Sequence, residues 1–354
     1  MSVLLRRAWE WASGRSEIWL SLVLVVDALI AIAGIAIGKS LNLTAILSAG
    51  PLLACARCNG RVTALVAGYA LALCAIVAVI TGTITTTMQG DRFVVIAMSG
   101  ILAVVVALVR ERREKRLIWV AERVQRAILR PLPAEAGGVA FASHYQSATP
   151  GTMIGGDLYD LTMTQFGPRL IIGDVKGKGL DAVGRCADVI GAFREVAFSE
   201  SDLVKLAERM DSRLSGDMGI EDFVTAIVAE FGEGEVRLVN CGHHPPVKAG
   251  PSAADGAMEL LAPDRNAPPL GLRPDPVLQT AVLKPGDRLL FYTDGLVEAR
   301  NRDGQFLGID DRIATALAAP ELDECIDCVT GLLLAHAGHS LGDDVLLVVA
   351  EPLP

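Results

Sequence analysis

Four apolar stretches crowd into the first 110 residues, at 19–38, 41–56, 62–80 and 93–109, and they limit the possible folds more than any other feature. Runs of this kind have no stable place in water, and a helix of ~20 apolar residues is what crosses the ~30 Å hydrocarbon core of a bilayer. The first and third reach that length; the second and fourth approach it. The chain is 51% hydrophobic with a mean hydropathy of +0.42, too apolar for a wholly water-exposed globular protein. A cleaved leader fits poorly, because the first run is long and further runs follow it. Residues 1–110 are therefore expected to be a multi-pass transmembrane region.

Basic residues set its orientation. Arg6, Arg7 and Arg15 precede the first run, Arg57 and Arg61 lie between the second and third, and RERREKR (110–116) follows the fourth, whereas the other two loops offer only Lys39 and Arg92. The excess of Lys and Arg on cytoplasmic loops predicts a cell-membrane protein with both termini, and the C-terminal part, in the cytoplasm. Asp27 falls in the middle of the first run, where an acid is either a signal-sensing element or a protonated or inter-helix polar contact.

Beyond the membrane, residues 111–133 read as a juxtamembrane linker helix. Leu117, Val120, Val124, Ala127 and Ile128 form an apolar stripe that stops at Pro131. Such a stripe needs cover, either from a second copy in a short coiled-coil homodimer or from the chain's own globular part. Charge also divides the chain. Residues 1–130 carry 15 Lys and Arg against 7 Asp and Glu, while the remainder carries 17 against 34. That acidity argues against a nucleic-acid partner. Neither Cys55-x-x-Cys58 nor Cys325-x-x-Cys328 has the flanking ligands of a zinc ribbon, so both pairs are read as packing residues in a reducing compartment.

Residues 134–354 form the globular part. Short apolar runs such as VAFASHYQ, RLIIGDV, FVTAIVAEF, EVRLVN, RLLFYTD and DVLLVVAE are bounded by Gly, Pro or Asp and read as strands. Helices are expected at 180–198, 202–214, 310–318 and 322–336, grouped between the strands rather than alternating with them. The fold class is therefore α+β with antiparallel sheets. Residues 248–273, rich in Ala, Pro, Gly and Asp, read as a surface excursion.

The segment RLIIGDVKGKGLDA (169–182) fits two chemistries. Gly177-x-Gly179-x-x-Ala182 outlines a dinucleotide-binding loop, but that reading needs a parallel sheet and an acid ending the next strand, and Glu195 falls inside a predicted helix. The alternative is a carboxylate at a strand end. Asp157, Asp174, Asp294 and the pair Asp343–Asp344 all sit at predicted strand rims beside Gly or a turn residue. One such aspartate is ordinarily a turn former. Several that converge repel one another unless a cation sits among them, and all-oxygen ligation selects magnesium or manganese. Gly155-Gly156-Asp157 also resembles the start of a GGDEF signature, but Leu158 replaces its second acid.

Five ordered motifs, GGDLYD (155–160), GDVKGKGLDA (173–182), NCGHHPP (240–246), YTDGLVEARN (292–301) and GDDVLLVV (342–349), resemble the SpoIIE-type branch of the metal-dependent (PPM, type 2C) serine/threonine protein phosphatases. The resemblance implies a β-sandwich of two antiparallel sheets flanked by helices, with two Mn2+ or Mg2+ ions at one end. It places Asp157, Asp174, Asp294 and Asp343 at metal-ligand positions, with the Val175 carbonyl as a further ligand and Asp344 as second choice to Asp343. It implies hydrolysis of phosphoserine or phosphothreonine on a regulatory protein, of the anti-sigma-factor-antagonist type, by a metal-activated water without a phosphoenzyme. Lys176 and Lys178 stand where relatives usually carry Ser and His, and Leu346 where they carry Thr. The lysines either draw in phosphate or an acidic partner or are solvated loop residues. His243, with His244, shapes its loop or reaches the phosphate. Two readings from other classes stand beside this one: a catalytically silent domain of the same fold that captures a partner at the membrane, and a membrane sensor or transporter.

Overall fold

Residues 16–37, 43–147, 155–216, 218–219, 222–250, 258–338 and 341–354 are described by the computed structural model, with backbone alone at 16–17, 121–122 and 124–127. The chain divides into two compact units, Met1–Leu117 and Ile118–Pro354.

The first unit is helical: α1 (Ser16–Ile37), a 3-10 segment η1 (Leu43–Ser48) running into α2 (Ala49–Ala54), α3 (Gly60–Ile80) and the start of α4 (Thr87–Ile128). Ile18–Ile37, Gly60–Ile80 and Thr87–Val120 are long and apolar enough to cross a membrane, whereas Leu43–Ala54 is shorter. The second of the four expected spans is thus a short helix, and its 3-10 half partly makes up the length. At ~2.0 Å per residue for η1 and ~1.5 Å for α2, the segment reaches roughly 21 Å.

It still carries the chain back alongside α1. Thr44 lies next to Gly34, where an added Cβ would be 3.7 Å from its methyl group. At the other end the Trp19 indole N–H donates to the Leu53 carbonyl at 3.0 Å, and the Arg57 guanidinium lies 5.0 Å over the Trp19 ring. Arg110 donates to the Cys55 and Cys58 carbonyls at 2.7 and 2.8 Å, which brings α4 to the Trp19 end. Arg92 donates to Gln89 at 2.9 Å and to Thr44 at 3.3 Å, at the Thr44 end. Arg57 and Arg110 therefore share one end of the unit. Arg6, Arg7, Arg15 and Lys39 lie outside the described residues.

The second unit is a two-sheet sandwich. One sheet has the order β1 (Glu135–Ala136), β2 (Val139–Gln146), β11 (Val345–Pro352), β10 (Arg288–Tyr292), β7 (Val247–Ala249), β8 (Met258–Leu260). The other runs β3 (Asp157–Thr164), β4 (Gly167–Val175), β5 (Val224–Gly232), β6 (Glu235–Cys241), β9 (Leu278–Val282). Every pairing within them is antiparallel. Strand β11 shows why the layers form. Leu346, Val348 and Ala350 enter the core shared by both sheets, while Val345, Leu347 and Val349 face a second core under α8 (Asp311–Leu317) and α9 (Leu322–Ala337). A strand buried on both faces must be apolar throughout, as this one is.

On the other sheet, α5 (Leu180–Ala197) and α6 (Leu203–Leu214) supply Val189, Phe193, Leu206 and Met210 to the shared core. Asp202 caps α6 by accepting from the Val204 and Lys205 amides at 2.8 and 3.3 Å. Of the linker stripe, Leu117 and Val120 are exposed, and Ile128 packs on the domain core with Leu129 and Leu132. The Val124 and Ala127 side chains lie outside the described residues. Residues 248–273 include part of β7 and all of β8; 251–257 lie outside the described residues.

Candidate active site

Register brings the first two acids together. Asp157 opens β3 and Asp174 lies near the end of β4, and the two are direct cross-strand partners. Gly156 makes the approach possible: a Cβ there would fall 2.0 Å from the Val175 carbonyl oxygen and 2.7 Å from Asp174 Oδ1. That carbonyl therefore turns toward the same space. From the opposite sheet, β10 ends at Tyr292, and Asp294 begins the one-turn helix α7 (Asp294–Val297). Thr293 fastens the junction. Its hydroxyl donates to Asp157 Oδ2 at 2.8 Å, and it accepts from the Leu346 amide at 3.0 Å.

The electrostatics record the crowding. Burial first, then Asp174, Asp294 and Asp344, hold Asp157 well above the carboxylate range, against the Thr293 hydrogen bond. Asp174 is pushed up to about 7 by burial and then by Asp294, Asp343 and Asp344. Asp294 is raised by burial and then by Asp343 and Glu298. Carboxylates buried and crowded in this way are a ready receptor for divalent cations. The donor set is all oxygen, which fits Mg2+ or Mn2+. Among the described residues, however, no group of three or more His, Cys, Asp or Glu side chains is drawn up around one metal position.

The adjacent pair Asp343–Asp344 divides its work. Asp344 is buried and accepts from the Tyr145 hydroxyl at 2.8 Å, the Ser147 hydroxyl at 3.1 Å and the Gly155 amide at 2.5 Å. It ties β11 to β2 and to the start of β3. Asp343 is half-exposed and receives Lys178 Nζ at 2.8 Å. A cation at Asp343 would compete with that ammonium. Lys176 lies 5.4 Å over the Phe223 ring.

His243 is buried. Its Nε2 lies 3.2 Å from the Tyr292 carbonyl, which can only accept, so that nitrogen carries the proton and Nδ1 accepts from the Thr225 hydroxyl at 3.0 Å. Burial and then His244 pull its pKa down to about 3. Neutral, with both nitrogens engaged, it braces β5 against β10. Asn240 holds its backbone from both sides, at 2.8 and 2.9 Å. The glycine loop runs from β4 into α5 within an antiparallel sheet, so the dinucleotide reading lacks its parallel βαβ frame. Gly177 and Gly179 have φ of 108° and 90°, values that favour glycine.

Sequence reasoning did not assign roles to Thr293, Tyr145 or Thr225, which position the acids. The YTD motif contains the first, but no spacing signal links the others to the site. All seven cysteines are unpaired thiols.

Two packed antiparallel sheets with acids at one end are the architecture of the PP2C-type phosphatase domain. The SiaA-PP2C domain of Pseudomonas aeruginosa superposes with a TM-score of 0.58 over 70% of this chain and 98% of that one, at 17% identity. The chain belongs to the family described as Stage II sporulation protein E (SpoIIE), whose profile matches residues 166–352. The RsbU and RsbW domains of Rv1364c from Mycobacterium tuberculosis are 28% identical, with a TM-score of 0.54 over 62% of each chain. Protein IcfG of Synechocystis is 24% identical over 234 residues, 57% of this chain and 36% of that protein. The chain thus matches about a third of the length of that curated relative.

Proposed function

We propose that the chain is a membrane-anchored, divalent-metal-dependent phosphatase that removes phosphate from phosphoserine or phosphothreonine on a cytoplasmic regulatory protein of the anti-sigma-factor-antagonist type. The observation that carries this reading is the convergence of Asp157, Asp174 and Asp294 from both sheets, each raised first by burial and then by neighbouring carboxylates. Asp157, Asp174, Asp294 and Asp343 would hold two Mn2+ or Mg2+ ions, with the Val175 carbonyl, and Asp344 serves as the anchor behind them. Ions held there supply Lewis-acid polarisation of the phosphoryl group and an acidified water. The protein's own share is positional. Thr293 fixes Asp157, and His243 locks the strand that delivers Asp294. Lys178 offers a cation to an incoming phosphate once released from Asp343. Arg57 and Arg110 at one end of the helical unit support the cytoplasmic placement of residues 118–354, and the exposed Leu117 and Val120 support pairing of two chains through the linker helix.

The test is hydrolysis of p-nitrophenyl phosphate and a phosphoserine peptide by purified residues 118–354, with and without Mn2+. Turnover is expected only with metal, and Asp174→Asn or Asp294→Asn is expected to lower it by several kcal/mol of barrier, on the order of 10²–10³-fold. Turnover untouched by either substitution would sink the site. The Lys178–Asp343 ion pair favours one other reading, a silent domain of this fold that binds its partner without turnover. Absence of hydrolysis in every divalent metal would select it.

A further inference from the structure

In the helical unit, Asp27 is an acid that the proposed reaction does not use. It lies on α1 and is only 1% exposed, and neither carboxylate oxygen has a hydrogen-bond partner among the described residues. Asp157, Asp160, Asp211, Glu230, Asp287 and Asp344, the other buried acids described, each have one. Backbone comes close to it. A Cβ on Gly50 would fall 1.9 Å from Asp27 Oδ2 and 2.7 Å from Oδ1, so the carboxyl faces the bare main chain where η1 passes into α2. Pro51 follows and has no N–H, which leaves the Leu47 carbonyl without an i→i−4 donor.

Apolar layers lie on both sides along the unit. Val23, Ala54 and Val66 form one; Leu47, Ala70 and Ile30 belong to the other. The charged groups of the described helices sit at the ends. Arg57, Arg110 and Glu111 gather near Trp19, eight residues and roughly 12 Å along α1 from Asp27. Asp91 and Arg92 lie toward Thr44 and Gly34, seven residues and roughly 10 Å the other way. The titratable groups between are thiols and a phenol: Cys58 in the first layer, Cys74 receiving a hydrogen bond from Gln89, and half-buried Tyr69 on α3. No described cationic side chain faces the carboxyl. An ionised carboxylate in such surroundings bears its full desolvation penalty, whereas the acid form can give its single O–H to a main-chain carbonyl.

We propose that Asp27 is a proton-binding site in the middle of the helical unit, a carboxyl that keeps its proton and donates it to a carbonyl of the η1–α2 junction. Loss of the proton would put an unpaired charge against bare backbone, so deprotonation is linked to separation of α1 from that junction. Infrared spectroscopy of the full-length protein in lipid nanodiscs, saturated with Mn2+ so that other acids are held ionised, tests this. The wild-type chain is expected to show the C=O stretch of a protonated carboxylic acid, lost in Asp27→Asn and titrated away as pH rises. Identical wild-type and variant spectra would overturn the proposal. Disappearance of the band on adding Na+ at fixed pH would overturn it in favour of a metal-cation site. Labelling of wild-type protein by dicyclohexylcarbodiimide, mapped to residue 27 by mass spectrometry, reads the same state without a variant. An adduct that falls as pH rises is expected; its absence at acid and alkaline pH alike counts against the site.

Discussion

Lys178 shows how one side chain can set the behaviour of a site without being part of the expected chemistry. Its ammonium sits 2.8 Å from Asp343, and Asp343, Asp344 and Asp294 together hold its proton more firmly, the Asp343 hydrogen bond foremost. It also opposes the upward shift of Asp174. Both partners are more than two-fifths exposed, so the pair is worth ~0.2–1 kcal/mol. Lys178→Ala frees a proposed ligand at that modest cost. It is therefore expected to tighten Mn2+ binding by about two- to five-fold, read by titration calorimetry on residues 118–354. Weaker binding in the variant would mean that the lysine assists the metal site. The same scale explains what the sequence concealed. Asp343 and Asp344 are indistinguishable as letters, and only the Tyr145, Ser147 and Gly155 donors make one an anchor and leave the other available.

At the scale of elements, the sheet that carries Asp157 and Asp174 is held by a charged pair where an apolar core is the usual arrangement. Arg169 on β4 faces its cross-strand partner Glu230 on β5, and both side chains are fully buried. Arg169 donates from Nε to Glu230 at 2.7 Å and from Nη1 to the Ala197 carbonyl at 2.6 Å, and Arg237 also pairs with Glu230. Burial and then Arg237 bring the Arg169 pKa down to about 10. Removing one partner strands the other charge in the interior, which costs ~3–5 kcal/mol. Glu230→Ala is expected to lose that much in denaturant unfolding of residues 118–354; a loss under 1 kcal/mol would show that Arg169 finds water. The strand pattern around the pair was legible, since β4 contains the whole run RLIIGDV. The pair was not, because an Arg in an apolar run reads as a strand end until the register is known.

At the scale of the whole molecule, the acidic site sets how the metal-free domain responds to pH. Asp174 is raised from 3.8 to about 7, and Asp157 and Asp294 shift the same way. A carboxyl whose folded pKa lies above its unfolded value stabilises the fold below pH ~4 and loses that contribution as pH climbs through about 7. The metal-free domain is accordingly expected to melt lower at pH 8 than at pH 5, by up to a few kcal/mol of stability, with Mn2+ restoring it and Asp174→Asn flattening the slope. A metal-free melting temperature that rises over that window would contradict the geometry of the cluster. The sequence by itself determined the layout, an apolar N-terminal region followed by an acidic α+β domain, because hydrophobic runs and their period are local properties. It also marked the aspartates, since acids at strand rims beside glycine are visible as letters. Which of them meet, that His243 braces β5 against β10, that the second apolar run is a short helix, and that Asp27 faces bare backbone at Gly50 were decided by tertiary structure. Each depends on which atoms of distant segments come into contact, and no local propensity encodes that.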